Sequence, residues 1–299
     1  MTLVIAGHNI RKDSSHPGFK GSAAGLFVTA DSTITTGRQT LLSGFKKVYE
    51  VPIKVYAPSI VGGQFRGYHA VKLETSCFIA FAGSTLTAQH ILNGLTNHLS
   101  ALRYAHAGAG QLVPGTYQIL MDCQSNSLNN SGTWWDDDMF LDRDMENLLS
   151  GEIVARTMLH VLRVSLGSAK EHKIDQAGWE TLLTQYVVGT YCEVERCHKL
   201  YTFKPRFQWE HQRIVGIEID QEEVRPGELA VLGMTSFEQR AKVVYSTAFE
   251  AGQDVRKVMH DFLNLAIDEV RAKGSLEIDR PSILRSFQQG KLFELQRTP

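Results

Sequence analysis

Apolar and polar positions alternate through the first third of the chain, at a period that predicts strands. Thr2–Leu3–Val4–Ile5–Ala6–Gly7 is a short apolar run closed by His8. Arg11–Ser22, with Pro17, Gly18 and Gly21, is polar and reads as a long loop. Gly25–Ser32 is a second β-prone run and ends on a carboxylate, Asp31. Lys47–Ser59 alternates, is broken by Pro52 and ends near Pro58. Gly62–Gly67 predicts a turn, and His69–Phe81 returns as a strand, so this hairpin reads as an extended β-ribbon.

Helical spacing takes over afterwards. Ile91, Leu92, Leu95, Leu99 and Leu102 recur on one face behind Thr85 or Thr87 as a cap. Ile153, Val154, Met158, Val161, Leu162 and Leu166 mark a second helix, ending before Gly167. A helical turn near Gln176–Leu183 leads to paired strands, Gln185–Glu195 and His198–Phe203. Arg213–Ile219 and Glu228–Leu232 alternate as further strands around Pro226–Gly227. Phe237–Glu250 predicts a third helix, Asp254 caps a fourth that stops at Gly274, and Pro281–Phe287 with Leu292–Leu295 closes as a hairpin. Strands, two helices, strands, two helices, strands is an α+β order. It suits two antiparallel sheets stacked face to face with helices over both outer sides. No internal repeat or linker divides the chain, so one domain over 1–299 is expected.

Composition narrows the function classes. A net charge of −1 argues against a nucleic-acid partner, and no apolar run approaches a membrane span. Four cysteines make no disulfide framework, and the N-terminal apolar run is too short for a signal peptide. A reducing cytoplasm is the expected location.

Asp31 and Lys47 stand sixteen residues apart, enough for a strand end, a loop and a return strand, so the two side chains can meet. A surface ion pair worth about 0–1 kcal/mol is the plain alternative. Thr2 follows the initiator Met, and Cys77–Ser84 is an apolar strand running into Gly83 at a helix start.

This order resembles the proteasome β-subunit family and, within it, the bacterial heat-shock-locus peptidase (HslV). The matching elements are Thr2, Ala30–Asp31, Lys46–Lys47–Val48 and Ala82–Gly83, and the likeness covers residues 23–51 and 77–102. The resemblance implies the four-layer αββα sandwich of N-terminal-nucleophile (Ntn) hydrolases. It makes about 10–22, 52–74 and 107–149 family-atypical insertions. It also implies a threonine peptidase in a self-compartmentalising homo-oligomeric ring, taking peptides or unfolded chains from a separate AAA+ ATPase. No phosphate loop and no cofactor are expected in this chain.

The chemistry follows from the residue types. A threonine hydroxyl needs a base, and at a chain terminus its own α-amine, with a pKa of about 7.7–8, is one. The Lys47 ammonium would lower that pKa, Asp31 would hold the ammonium oriented, and Gly83 N–H at a helix start would bind the oxyanion. All of this requires removal of Met1. Thr235 or Ser236 after Gly233 stands in for a family serine, and Asp268, Glu269 and Ser275 are near a second family position without matching it. A catalytically inactive ring or scaffold subunit, and an Ntn-type amidase or transpeptidase on another substrate, are the alternatives.

Three other features read as structural. The glycines at 62–67 lack the ending of a phosphate loop. Trp134–Trp135 with Asp136, Asp137, Asp138, Asp142 and Asp144 reads as a solvated face whose tryptophans dock a neighbouring subunit, without the spacing of a calcium loop. Cys192, Cys197 and His198 hold no metal if Cys192 and Cys197 lie on one continuous strand, where odd spacing puts them on opposite faces.

Overall fold

The computed structural model describes residues 2–11, 22–36, 39–106, 117–129, 134–136 and 138–299. Strand β1 (Leu3–Arg11) is followed by β2 (Ser22–Asp31) and a small hairpin, β3 (Thr33–Thr36) with β4 (Gln39–Ser43). Next come β5 (Val48–Val61) and β6 (Gln64–Ala82), then helix α1 (Thr85–Leu99). Strands β7 (Leu102–His106) and β8 (Tyr117–Leu120), a one-turn helix α2 (Asp142–Met145) and the long α3 (Gly151–Gly167) follow. Short α4 (Gln176–Thr181) leads to β9 (Gln185–Cys192), β10 (Cys197–Glu210), β11 (Arg213–Glu223) and β12 (Leu229–Gly233). Helices α5 (Glu238–Glu250) and α6 (Val255–Ala272) precede the hairpin β13 (Ser282–Gln288) and β14 (Lys291–Thr298).

The result is a mixed arrangement of sheets and helices. One sheet has five strands in the order β12-β1-β2-β13-β14, a second has seven in the order β11-β10-β9-β6-β5-β7-β8, and β3 pairs with β4 alone. Strand periodicity explains why several strands are apolar on consecutive positions. In β1, Val4 and Ala6 join Phe78, Ala80 and Val187 of the seven-stranded sheet in one buried cluster. Leu3 and Ile5 point the other way, into a cluster with Tyr245 of α5 and Met259, Leu263 and Ile267 of α6. In β6, Phe78 and Ala80 face the first cluster, while Cys77, Ile79 and Phe81 face Ile91 and Leu95 of α1 and Met158 and Leu162 of α3. Strands buried on both faces lose the polar half of their alternation.

Amphipathic faces fix the helices. α6 buries Ala266 with Val255, Met259, Phe262, Leu263, Ile267 and Val270, and each of the larger side chains is worth about 1.5–3 kcal/mol if fully withdrawn from water. Asp254 caps it, accepting from the Arg256 N–H at 3.1 Å. The cap of α1 is neither Thr85 nor Thr87 but Ser84, whose Oγ accepts from the Thr87 N–H at 3.3 Å. Ser84 is extended and still outside the helix, which is what a cap requires.

Hairpin β5–β6 pairs from Val48↔Ala80 out to Val61↔Gln64, so the extended ribbon is observed. The tryptophan pair docks onto this chain's own ribbon. Trp135 is buried, its N–H donates to the Gly63 carbonyl at 2.9 Å, and Trp134 lies over Gly63. The two strand cysteines also differ from expectation. Cys192 and Cys197 end different strands and are direct register partners, because residues 193–196 turn between them. Both thiols contact Glu195. Residues 12–21 of the segment 10–22, and residues 107–116, 130–133 and 137 of the segment 107–149, lie outside the described residues. No helix among the described residues is long and apolar enough to cross a membrane.

Candidate functional site

The site forms where several strands begin or end together. Antiparallel pairing of Val4 with Ala30 brings the end of β2 beside the start of β1. Pairing of Leu3 with Gly233 brings the end of β12 there too. In the other sheet, Val48↔Ala80 sets the head of β5 beside the end of β6. Thr2, Asp31, Lys47 and Gly83 each lie within one residue of such a strand end, or on it.

Lys47 joins the two sheets. Its Nζ donates to Asp31 Oδ2 at 2.6 Å and to Thr2 Oγ1 at 2.9 Å. Thr2, Asp31 and Lys47 are 6%, 0% and 2% exposed, so this contact is out of water and is not the surface ion pair of the plain alternative. The carboxylate gathers further donors: Leu3 N–H on Oδ1 at 2.9 Å, and Thr33 Oγ1 on Oδ2 at 2.9 Å with Thr33 N–H at 3.4 Å. Burial pushes the Lys47 pKa below the ordinary lysine value, and the charge and hydrogen bond of Asp31 offset part of that fall.

The backbone of Thr2 is held from the opposite side. Its carbonyl accepts the Met234 N–H at 3.1 Å. Gly233, at φ +86°, is required here, because a Cβ at that position would collide with the Thr2 carbonyl. The Gly233 N–H donates to Gln185 Oε1 at 3.0 Å, and Gln185 is the register partner of Ala82. Gly83 therefore sits next to this junction, at the N-terminal end of α1. The following residue, Ser84, is anchored by its N–H on Thr184 Oγ1 at 3.0 Å.

Sequence reasoning singled out neither Thr33 nor Gln185. Thr33 carries a local signal: a threonine two residues after an aspartate is placed to donate back to it. Gln185 carries none, since its role follows from sheet pairing alone. Thr235 and Ser236 are exposed, and it is the Met234 backbone that touches Thr2. Asp268 and Glu269 pair with Arg280 and Arg240. Met1 lies outside the described residues.

The chain matches no protein-family model and no curated protein. Among solved structures it is similar to Anbu from Hyphomicrobium sp. strain MC1, at 13% identity and TM-score 0.47, covering 99% of this chain and 87% of that one. The Gly-1 mutant of the same Anbu gives 12% identity and TM-score 0.48, over 99% and 87%. Anbu (ancestral beta-subunit) from Yersinia bercovieri gives 11% and 0.46, over 98% and 86%. The resemblance to proteasome β-subunits and HslV is corrected by these findings: the similar structures bear the name Anbu, and no family model matches. The quoted motifs are two or three residues long, and a strand end, a loop exit and a helix start call for such residues in many folds. At these identities and TM-scores the likeness assigns no activity.

Proposed function

We infer that the chain is an N-terminal threonine hydrolase that cleaves peptide amides. The observation that carries this is the buried Lys47 Nζ, shared between Asp31 Oδ2 at 2.6 Å and Thr2 Oγ1 at 2.9 Å. Burying an ammonium this deeply costs several kcal/mol before pairing repays it, and pairing with Asp31 alone does not call for a second contact on the Thr2 hydroxyl.

With residue 1 removed, the Thr2 α-amine takes the proton from Oγ1 as Oγ1 attacks the substrate carbonyl carbon. The C–N bond breaks, and the proton passes to the leaving amine. Water then hydrolyses the ester and restores the hydroxyl. Lys47 lowers the amine's affinity for a proton and stabilises the developing alkoxide, while Asp31 orients Lys47. Gly83 N–H, at the positive end of α1, receives the oxyanion. The same proposal takes 1–299 as one domain with the three apolar clusters separating four layers, helices outside and sheets inside.

Intact-mass and N-terminal analysis of the purified protein, beside hydrolysis of a fluorogenic peptide amide, tests this. Expected are an N-terminus at Thr2, turnover by the wild type and background rates for Thr2→Ala. A chain that retains residue 1, or a Thr2→Ala variant that cleaves equally well, overturns it.

A further inference from the structure

Helices α1 and α3 pack closely at Gly94, where a Cβ would lie 2.8 Å from Val161 Cγ1. One turn beyond Gly94 on α1 is His98, and next to Val161 on α3 is His160. The close crossing brings their imidazoles edge to face, with ring centroids 5.2 Å apart. A third donor arrives from elsewhere. The turn after β8, closed by the Gln124 N–H on the Met121 carbonyl at 3.0 Å, places Cys123 Sγ 3.5 Å from His160 Nε2. The ligand atoms of His98, Cys123 and His160 all lie within 4.8 Å of one another.

We propose that His98, Cys123 and His160 form a binding site for a divalent transition metal of the zinc class. The donor chemistry selects it: two imidazoles and a thiol suit zinc and disfavour calcium or magnesium. The geometry agrees as well. Zn–S and Zn–N bonds of about 2.3 and 2.0–2.1 Å at a tetrahedral angle put sulfur and nitrogen about 3.6 Å apart. The Cys123–His160 separation already has that length. A tetrahedral pair of imidazole nitrogens needs about 3.3 Å, which side-chain rotation supplies from within 4.8 Å.

The surroundings leave one coordination position open. Asp122, beside Cys123 in the chain, is held by Arg103. A hollow of about 220 Å³ adjoins the site, and His160 lines it together with Arg156, Arg163 and Gln124. Three protein ligands leave the fourth position to water or a small anion, and the two arginines favour the anion. The thiol binds as thiolate, and its proton leaves to solvent. The ion would fasten the turn after β8 onto both α1 and α3. This site is separate from Thr2 and does not depend on the hydrolase proposal.

Cobalt(II) titration of the tag-free chain tests it, because thiolate coordination adds a near-ultraviolet charge-transfer band and zinc competes for the site. Expected are one ion per chain, loss of the band in Cys123→Ser, and affinity reduced by more than about tenfold in His98→Gln and His160→Gln. Cys197→Ser, at the other accessible thiol, retains the band. Circular dichroism of the metal-free variants confirms folding. A wild type without a thiolate band, or a band that survives Cys123→Ser, overturns the proposal.

Discussion

Lys47 Nζ lies 2.6 Å from Asp31 Oδ2, and this buried contact ties the head of β5 in one sheet to the end of β2 in the other. The pair therefore serves the fold as well as the site. Removing Lys47 leaves an unpaired carboxylate in a dry environment, at a cost of about 3–5 kcal/mol. Lys47→Met is expected to lose that much in chemical denaturation, and Lys47→Met with Asp31→Leu to lose less. A double variant no more stable than the single one would contradict this account.

Activity and stability separate at Thr2. Its hydroxyl accepts from Lys47, which keeps Asp31 as a partner, so Thr2→Ala is expected to keep the fold near wild type while hydrolysis falls to background. Thr2→Ser retains an attacking hydroxyl and measurable turnover. Peptide-amide kinetics beside thermal melts of both variants check this pairing.

The pH dependence of kcat/KM follows from the same groups. The rate rises with pH as the Thr2 amine deprotonates, at or below its ordinary pKa of about 7.7–8. It falls again as Lys47 loses its proton. Burial lowers the Lys47 pKa, so that alkaline fall begins below the ordinary lysine value. A profile still rising past about pH 10.5 would remove Lys47 from the mechanism.

Acid lability is expected from histidines whose pKa values burial lowers, among them His8, His198 and His260. Thr29 Oγ1 donates to the Ile283 carbonyl at 2.9 Å, so His260 Nδ1 donates to Thr29 and its Nε2 accepts from Thr298. His198 Nε2 accepts the Gln289 N–H at 3.4 Å, and its pKa falls to about 4. The unfolded chain takes up these protons at about pH 6.5, before the folded one does. Stability is thus full above about pH 6.5 and declines as pH falls below it. Melting temperatures between pH 7 and pH 4 should show this slope, and His198→Asn should flatten it.

Gly233→Ala probes how the backbone places Thr2. Alanine is strained at φ +86° and collides with the Thr2 carbonyl, so the start of β1 must move. A displacement of about 1 Å at a reacting group costs on the order of 10²-fold in rate. Hydrolysis is expected to drop by that factor with a modest loss of melting temperature. Unchanged kinetics would show that the Thr2 carbonyl need not be fixed.

Period and punctuation in the sequence determined the longer helices and strands, but not β3, β4, β7 or α2. Ile91, Leu92, Leu95 and Leu99 select one face of a helix, though Leu102, read on the same face, opens β7 instead; alternation through Lys47–Ser59 and the return at His69–Phe81 mark the ribbon, because these signals are local. The sixteen-residue gap between Asp31 and Lys47 determined that they can meet, since a chain of that length reverses and returns. Only the tertiary structure decided the rest. Sheet register, which depends on distant partners, placed Gln185 and Gly233 behind Thr2 and set Cys192 opposite Cys197. A helix crossing at Gly94 and Val161 gathered His98, Cys123 and His160 from three separate elements. Packing of surfaces far apart in sequence leaves no periodic mark on any of them, so such sites become visible only when the faces meet.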